Sequence, residues 1–208
     1  MDKTAVILAG GFSARFGSDK ALVPLANKPL IMHVLEVVDA VAEEKIVVAS
    51  TEEQAGKLAK ALNSLDVRIA IDKISVQTPL VGALTGFSEA HGEYALVLPC
   101  DAPLISKDVL ELFFDLCVGK NALIPRWPNG NIEPLHAVYH VKPALEVAER
   151  TLSERKLDMR SMIEKLRGIR YVSTLVLQQL DPELKTFVNV NTPLDFKRVE
   201  QILKQRKG

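Results

Sequence analysis

The sequence predicts an α/β fold: a mostly parallel, twisted sheet in three layers, with helices on both faces. Three observations carry that expectation. Short apolar runs alternate along the chain with longer stretches of helical periodicity. The runs are continuously apolar rather than alternating, as strands covered on both faces require. Glycines, prolines and charged residues gather just after the runs, and ligands on such sheets bind beyond the carboxyl ends of the strands.

In chain order, strands are expected at residues 4–8, 45–49, 67–71 and 94–98, with helices at 29–43, 52–62 and 79–90 between them. Pro29 and Pro79 suit a first helical position, where the missing N–H costs nothing. After Cys100 the pattern loosens. A helix over 106–117 is capped by Ser106, and strand-like runs at 122–125 and 135–140 flank a turn at Asn129-Gly130. An amphipathic helix over 142–155, a strand at 169–173 and a closing helix over 193–205 complete the chain, the last capped by Thr192. The 208 residues show no repeat, low-complexity tract or linker, so one domain is expected across 1–208.

Composition narrows the function classes. Lys+Arg and Asp+Glu both number 26, which leaves no basic excess for nucleic acid and no polybasic membrane patch. The apolar N-terminal run from Ala5 to Ala9 is too short for a signal-peptide core or a membrane span. Cys100 and Cys117 lack metal-ligand spacing and are too few for a disulfide framework. A soluble protein in a reducing, cytoplasmic setting is expected.

The stretch VILAGGFSARFGSDKALVPL, residues 6–25, holds the first chemistry. Gly10-Gly11 directly after a strand would let backbone approach a phosphate with no side chain in the way, and successive N–H groups there form an anion-binding concavity. Arg15 supplies a forked charge and Lys20 a point charge. The string fits neither Gly-x4-Gly-Lys-Ser/Thr nor Gly-x-Gly-x-x-Gly. A glycine turn followed by a solvated basic loop would account for a bare glycine pair, but not for Gly-Gly-x-Ser-x-Arg-x-Gly-x-Asp-Lys-x-Leu.

That string resembles the first loop of the molybdenum cofactor guanylyltransferases. The resemblance runs through nearly the whole chain and implies a Rossmann-like nucleotidyltransferase fold. It also implies a nucleotide-binding half at about 1–105 and an acceptor-binding half at about 106–208. By the same resemblance, Leu8, Ala9, Gly10, Gly11 and Ser13 contact the nucleotide, and Arg15 and Lys20 act catalytically on its phosphates.

In LVLPCDAPLIS, Asp101 follows a buried strand between Pro99 and Pro103. Capping the next helix would be its structural role, but Ser106 is the better cap. The family's Asp-x-Pro turn implies instead that Asp101 holds Mg²⁺ and the nucleotide phosphates, a carboxylate task in triphosphate chemistry. Cys100 reads as a buried packing residue rather than a nucleophile. Asp72 ends an earlier strand, and the resemblance implies that it accepts hydrogen bonds from the guanosine; a plain polar loop residue is the alternative. Thr78 stands where the family has glycine in Gly-Pro-Leu-x-Gly.

Near the C-terminus, Asn189 and Asn191 match Asn-x-Asn-Thr-Pro and offer donors and acceptors to a ring such as a pterin; they are assigned to the acceptor substrate. His136 and His140 lie four apart in a strand-like run, about 13 Å along the chain, too far to share a metal, so packing or a pocket wall is their reading.

The function implied is Mg²⁺-dependent transfer of GMP from GTP to molybdopterin or its molybdenum-loaded form, with other proteins of that cofactor pathway as partners and no nucleic acid or membrane. Three alternatives stand beside it. A cytidylyl-transferring relative would open Leu/Thr-Ala-Ala-Gly, and a sugar-phosphate enzyme would continue Gly-x-Gly-Thr-Arg-Leu. A non-catalytic nucleotide-binding adaptor would tolerate loss of Lys20 and Asp101, which are both present.

Overall fold

The computed structural model describes residues 2–10, 12–13 and 18–205, with backbone alone at 12, 13 and 18. Strand β1 (Lys3–Leu8) leads into two short ribbons, β2/β3 (Phe12–Ser13 with Ser18–Asp19) and β4/β5 (Pro24–Leu25 with Lys28–Pro29). Then follow α1 (Leu30–Val38), β6 (Glu44–Ala49), α2 (Glu52–Ala61), β7 (Arg68–Ile71), α3 (Pro79–Glu89) and β8 (Tyr94–Pro99). The second half runs α4 (Lys107–Cys117), β9 (Ala122–Arg126), β10 (Ala137–His140), α5 (Val141–Ser153), α6 (Met159–Lys165), β11 (Ile169–Ser173), α7 (Thr174–Leu177) and α8 (Pro193–Gln205).

Seven strands form one sheet in the order β11-β9-β10-β8-β1-β6-β7. Every neighbouring pair is parallel except those of β10, which runs antiparallel to both β8 and β9. The expected mostly parallel, three-layer architecture is therefore the observed one. Side-chain alternation explains the layers. Ala5 and Ile7 of β1, with Leu96 and Leu98 of β8, point into one core against α1, α2 and α4. Val6, Ala95 and Val97 point into the other, against α3, α5 and α6. A third, smaller cluster joins Leu25, Leu30, Leu104 and Val190 to Val199 of α8. No helix among the described residues is long and apolar enough to cross a membrane. Both cysteines are free and buried.

The departures from the expected elements are local. The helix expected at 29–43 is Leu30–Val38, capped at its end by Asp39, and Pro29 precedes it in β5 as its N-cap. Ser106 occupies the N-cap of α4 but makes no side-chain capping bond; its N–H donates instead to Thr186 Oγ1 at 3.1 Å. Asn129-Gly130 turns the chain inside an excursion closed by the Arg126–Ile132 bridge, with Gly130 at φ +88°, rather than joining two strands directly. Helix α6 was not expected. Asp158 starts it by accepting the Ser161 N–H at 2.9 Å, and Met159, Met162 and Ile163 bury one face.

Candidate active site

Sheet register sets the site. Leu8 of β1 pairs with Pro99 of β8, and the Cys100 N–H reaches the Leu8 carbonyl at 3.1 Å. The first loop and the Cys100-Asp101 turn therefore leave the sheet side by side at the carboxyl ends of adjacent strands. A cavity of about 370 Å³ opens there. Leu8, Ala9, Gly10, Lys20, Asp72, Thr78, Gly82 and Asp101 all line it.

Lys20 begins a turn of 3-10 helix that Asp19 caps by accepting the Ala21 N–H at 3.2 Å. Its ammonium forms an ion pair with Asp101 Oδ2, both side chains being only 14% exposed, and donates to Asn191 Oδ1 at 2.8 Å. Asp101 Oδ1 is buried and has no hydrogen-bond partner among the described residues. The Asp101 carbonyl accepts the Val190 N–H at 2.9 Å, which lays the Asn189–Asn191 segment along the turn. Sequence-expected residues more than eighty positions apart thus converge: Lys20, Asp101 and Asn191 in direct contact, with Asn189 beside them in the chain. Gly11 and Arg15 lie outside the described residues, as does the side chain of Ser13.

Asp72 lies across the cavity, its N–H on the Ala49 carbonyl at 2.9 Å. Thr85 Oγ1 donates to Asp72 Oδ1 at 2.7 Å. Burial pushes the Asp72 carboxyl up from its ordinary value, and the Thr85 hydroxyl pulls the other way. Thr78 caps α3, its Oγ1 accepting the Val81 N–H at 3.3 Å. This gives a physical purpose to a threonine where the resemblance has glycine. Burial, seconded by Asp101, drives the Cys100 thiol far above the usual range, which suits packing and not nucleophilic attack.

Several supporting residues escaped the sequence reading. Gln54 Nε2 donates to the Ala9 carbonyl at 2.9 Å while its Oε1 accepts the Ser50 N–H at 2.8 Å, tying the end of β1 to α2. Gln77 and Ser50 also line the cavity. Asp195 Oδ2 accepts the N–H groups of Asn191 (3.1 Å) and Thr192 (2.8 Å), and Thr192 Oγ1 accepts the Asp195 N–H at 3.1 Å. The expected Thr192 cap is thus one half of a reciprocal box whose other half, three residues on, was legible in Thr-Pro-Leu-Asp.

His136 is 1% exposed, stacks edge-on against Phe187 at 5.4 Å and has no described partner for either ring nitrogen. Burial lowers its pKa to about 4. The His140 ring packs edge-on against Tyr94 at 5.1 Å, so each imidazole sits against an aromatic ring, as the packing reading expects.

The family model described as "MobA-like NTP transferase domain" matches residues 5–169, most of the chain and all of the sheet-edge site except the C-terminal asparagines. The chain belongs to the MobA-like NTP transferase family. A "Probable molybdenum cofactor guanylyltransferase" of Methanosarcina mazei is 30% identical, the match covering 99% of this chain and 93% of that one. One of the same name from Methanothermobacter thermautotrophicus is 34% identical over 95% of this chain and 98% of its own. Among solved structures, the molybdopterin-guanine dinucleotide biosynthesis protein A of Archaeoglobus fulgidus superposes with a TM-score of 0.82 at 29% identity, covering 97% of this chain and 99% of that one. This MobA-like chain is therefore a nucleotidyltransferase by family.

Proposed function

We propose that this chain transfers GMP from GTP to molybdopterin or its molybdenum-loaded form and releases pyrophosphate. The observation that carries the reading is the Lys20–Asp101–Asn191 cluster on the cavity wall, in a chain whose full-length relatives are named guanylyltransferases. The nucleotide would occupy the half at about 1–105, with the acceptor entering from the 106–208 half, and the protein would work in the cytoplasm.

Mg²⁺ is implied by the chemistry, and the residues fit it. Asp101 offers a buried oxygen with no described partner at the cavity. Mg²⁺ keeps near-octahedral geometry and is usually held by one or two carboxylates plus substrate phosphates. No group of three or more His, Cys, Asp or Glu among the described residues could hold a metal alone, so phosphate oxygens would complete the shell around Asp101. Bound there, the ion would neutralise charge on the triphosphate.

The chain's own residues do the rest. Lys20 carries positive charge to the phosphates, where it gains value as negative charge develops in a cavity of low dielectric. Ala9 and Gly10 bring backbone close at the end of β1. Asp72, with Thr85 fixing Oδ1, keeps Oδ2 to accept from a ribose hydroxyl or the guanine N–H edge. The acceptor's terminal phosphate attacks the α-phosphorus in line; a new P–O bond forms as the bond to the β-phosphate bridge breaks, and pyrophosphate departs. A phosphate is anionic at neutral pH, so no protein base is needed, and positioning carries the rate.

The test is pyrophosphate release with each of the four nucleoside triphosphates, with and without molybdopterin. Acceptor-dependent release from GTP is expected. Calorimetry should show GTP bound at least about 10-fold tighter than CTP, roughly 1.4 kcal/mol. Equal affinities would remove the guanine preference, and equal turnover of CTP would favour a cytidylyl transfer.

A further inference from the structure

Asn191 matches a family pattern and was assigned to the acceptor, but its contacts point elsewhere. Val188 and Val190 pack into the cluster of Leu25, Leu30, Leu104 and Val199, which leaves Asn191 exposed on the opposite side of the segment. Its backbone is pinned from both directions. The Val190 N–H holds the Asp101 carbonyl on one side, and Asp195 Oδ2 accepts the Asn191 and Thr192 N–H groups on the other.

Such anchoring suits a group that must hold another in place. An ammonium has three donors on a flexible four-carbon stem and no acceptor. The amide atom that meets Lys20 Nζ at 2.8 Å must therefore be the oxygen, which leaves the NH₂ group directed elsewhere. Among the described residues Asp101 takes one donor and Asn191 the second, and the third is left for a phosphate.

We propose that Asn191 is a positioning residue for Lys20: its side-chain oxygen, set by the α8 capping box and the Asp101 backbone, aims the ammonium at the triphosphate. The proposal rests on the nucleotidyl-transfer reading only in giving Lys20 a triphosphate to serve. It makes the last segment of the chain, 171 positions from Lys20, a working part of the nucleotide half.

A double-mutant cycle tests it, with Lys20→Met, Asn191→Ala, their combination, and Asn191→Asp. Two quantities are read: triphosphate affinity by calorimetry without acceptor, and kcat with the acceptor KM. Asn191→Ala should weaken triphosphate binding by about 3-fold or more and lower kcat by about 10-fold, while the acceptor KM stays within about twofold. Asn191→Asp keeps an oxygen for Lys20 but replaces the amide donor with a negative charge, so it should recover part, not all, of the kcat that Asn191→Ala loses. In the Lys20→Met background, Asn191→Ala should change nothing further.

A raised acceptor KM at unchanged kcat, additive with Lys20→Met and equally severe in Asn191→Asp, would make Asn191 an acceptor ligand and overturn the proposal. Failure of the unaltered chain to transfer from GTP would instead overturn the functional reading. The cycle is then read on whichever triphosphate binds: non-additivity sustains the pair and additivity ends it. A chain that binds none of the four overturns both.

Discussion

Gly86 stands where α3 crosses β1, and a methyl group added there has nowhere to go. An ideal Cβ would lie 2.2 Å from Val6 Cγ1, 3.0 Å from Cγ2 and 3.2 Å from Cβ. A relaxed carbon pair sits at about 3.5–4.0 Å. Rotating Val6 only exchanges one methyl for the other, because the branch point itself is too close. The strand cannot retreat either: Val6 is laddered between Ile46 of β6 and Val97 of β8. Helix α3 must lift instead. Overpacking of this kind costs about 1–3 kcal/mol, with this site at the upper end, and the Gly→Ala gain in helix propensity returns about 1. A net loss of about 2 kcal/mol should lower the thermal midpoint by about 4–8 °C in a chain of this length. Gly56→Ala in α2 is the control, since nothing lies within 4 Å of its added Cβ; that variant should gain about 1 kcal/mol. Thermal and urea melts read both. Because Thr78, Pro79 and Gly82 of the same helix region line the cavity, GTP affinity should also fall in Gly86→Ala and stay level in Gly56→Ala. Gly86→Ala melting with or above Gly56→Ala would refute the packing argument.

Three further outcomes are expected. Lys20→Ala should lower turnover by about 10²-fold or more beyond its effect on GTP binding; a change confined to the KM for GTP would make Lys20 a ground-state ligand only. Asp101→Asn retains an acceptor for Lys20 but dissolves an ion pair whose partners are each 14% exposed, so stability should drop by about 1–2 kcal/mol. Transfer in that variant should fall by about 4 kcal/mol in transition-state terms, and near-normal transfer would place the metal elsewhere. His136, held at a pKa of about 4 against 6.5 for the free group, takes a proton more readily unfolded than folded. Its stabilisation is whole above about pH 6.5 and declines toward pH 4, by up to about 1.4 kcal/mol per pH unit. His136→Phe should flatten that acid limb in urea melts followed across pH, and an unchanged limb would assign it to other groups.

Much of the fold was legible because burial on two faces leaves a plain mark. The apolar runs at Ala5–Ile7 and Ala95–Leu98 show it, feeding both cores alternately. Lys20, Asp72 and Asp101, singled out through the family resemblance and, for the two aspartates, their place just after strands, line one cavity in the fold. What the sequence hid was relational. Nothing local in Asn191 says that its oxygen will meet Lys20, since that contact depends on Val190 pairing with the Asp101 backbone. Thr85 sits within a helical apolar pattern, and its duty to Asp72 emerges only when α3 packs beside β7. Helix α6, at seven residues, was too short for periodicity to stand out, although Asp158-x-x-Ser161 carried its start.

The arrangement also explains why the site needs both ends of the chain. A parallel sheet delivers two neighbouring strand ends to one edge, here Leu8 and Pro99, and that suffices to place Lys20 against Asp101. It does not restrain a lysine, whose long stem can hold a carboxylate from many directions. Restraint needs a second oxygen fixed in another direction, and among the described residues Asn191 supplies it rather than Ser50 or Asp72, which follow the other parallel strands at that cavity. The segment before α8 provides it by borrowing the Asp101 carbonyl as though adding a short strand, while the capping box keeps its far end from fraying. Helix α8 anchors this segment through Val199 in the cluster that also buries Val190, Leu25 and Leu30. Loosening that cluster should thus blunt Lys20 without touching the cavity, which ties the precision of the charge at the phosphates to packing at the chain's far end.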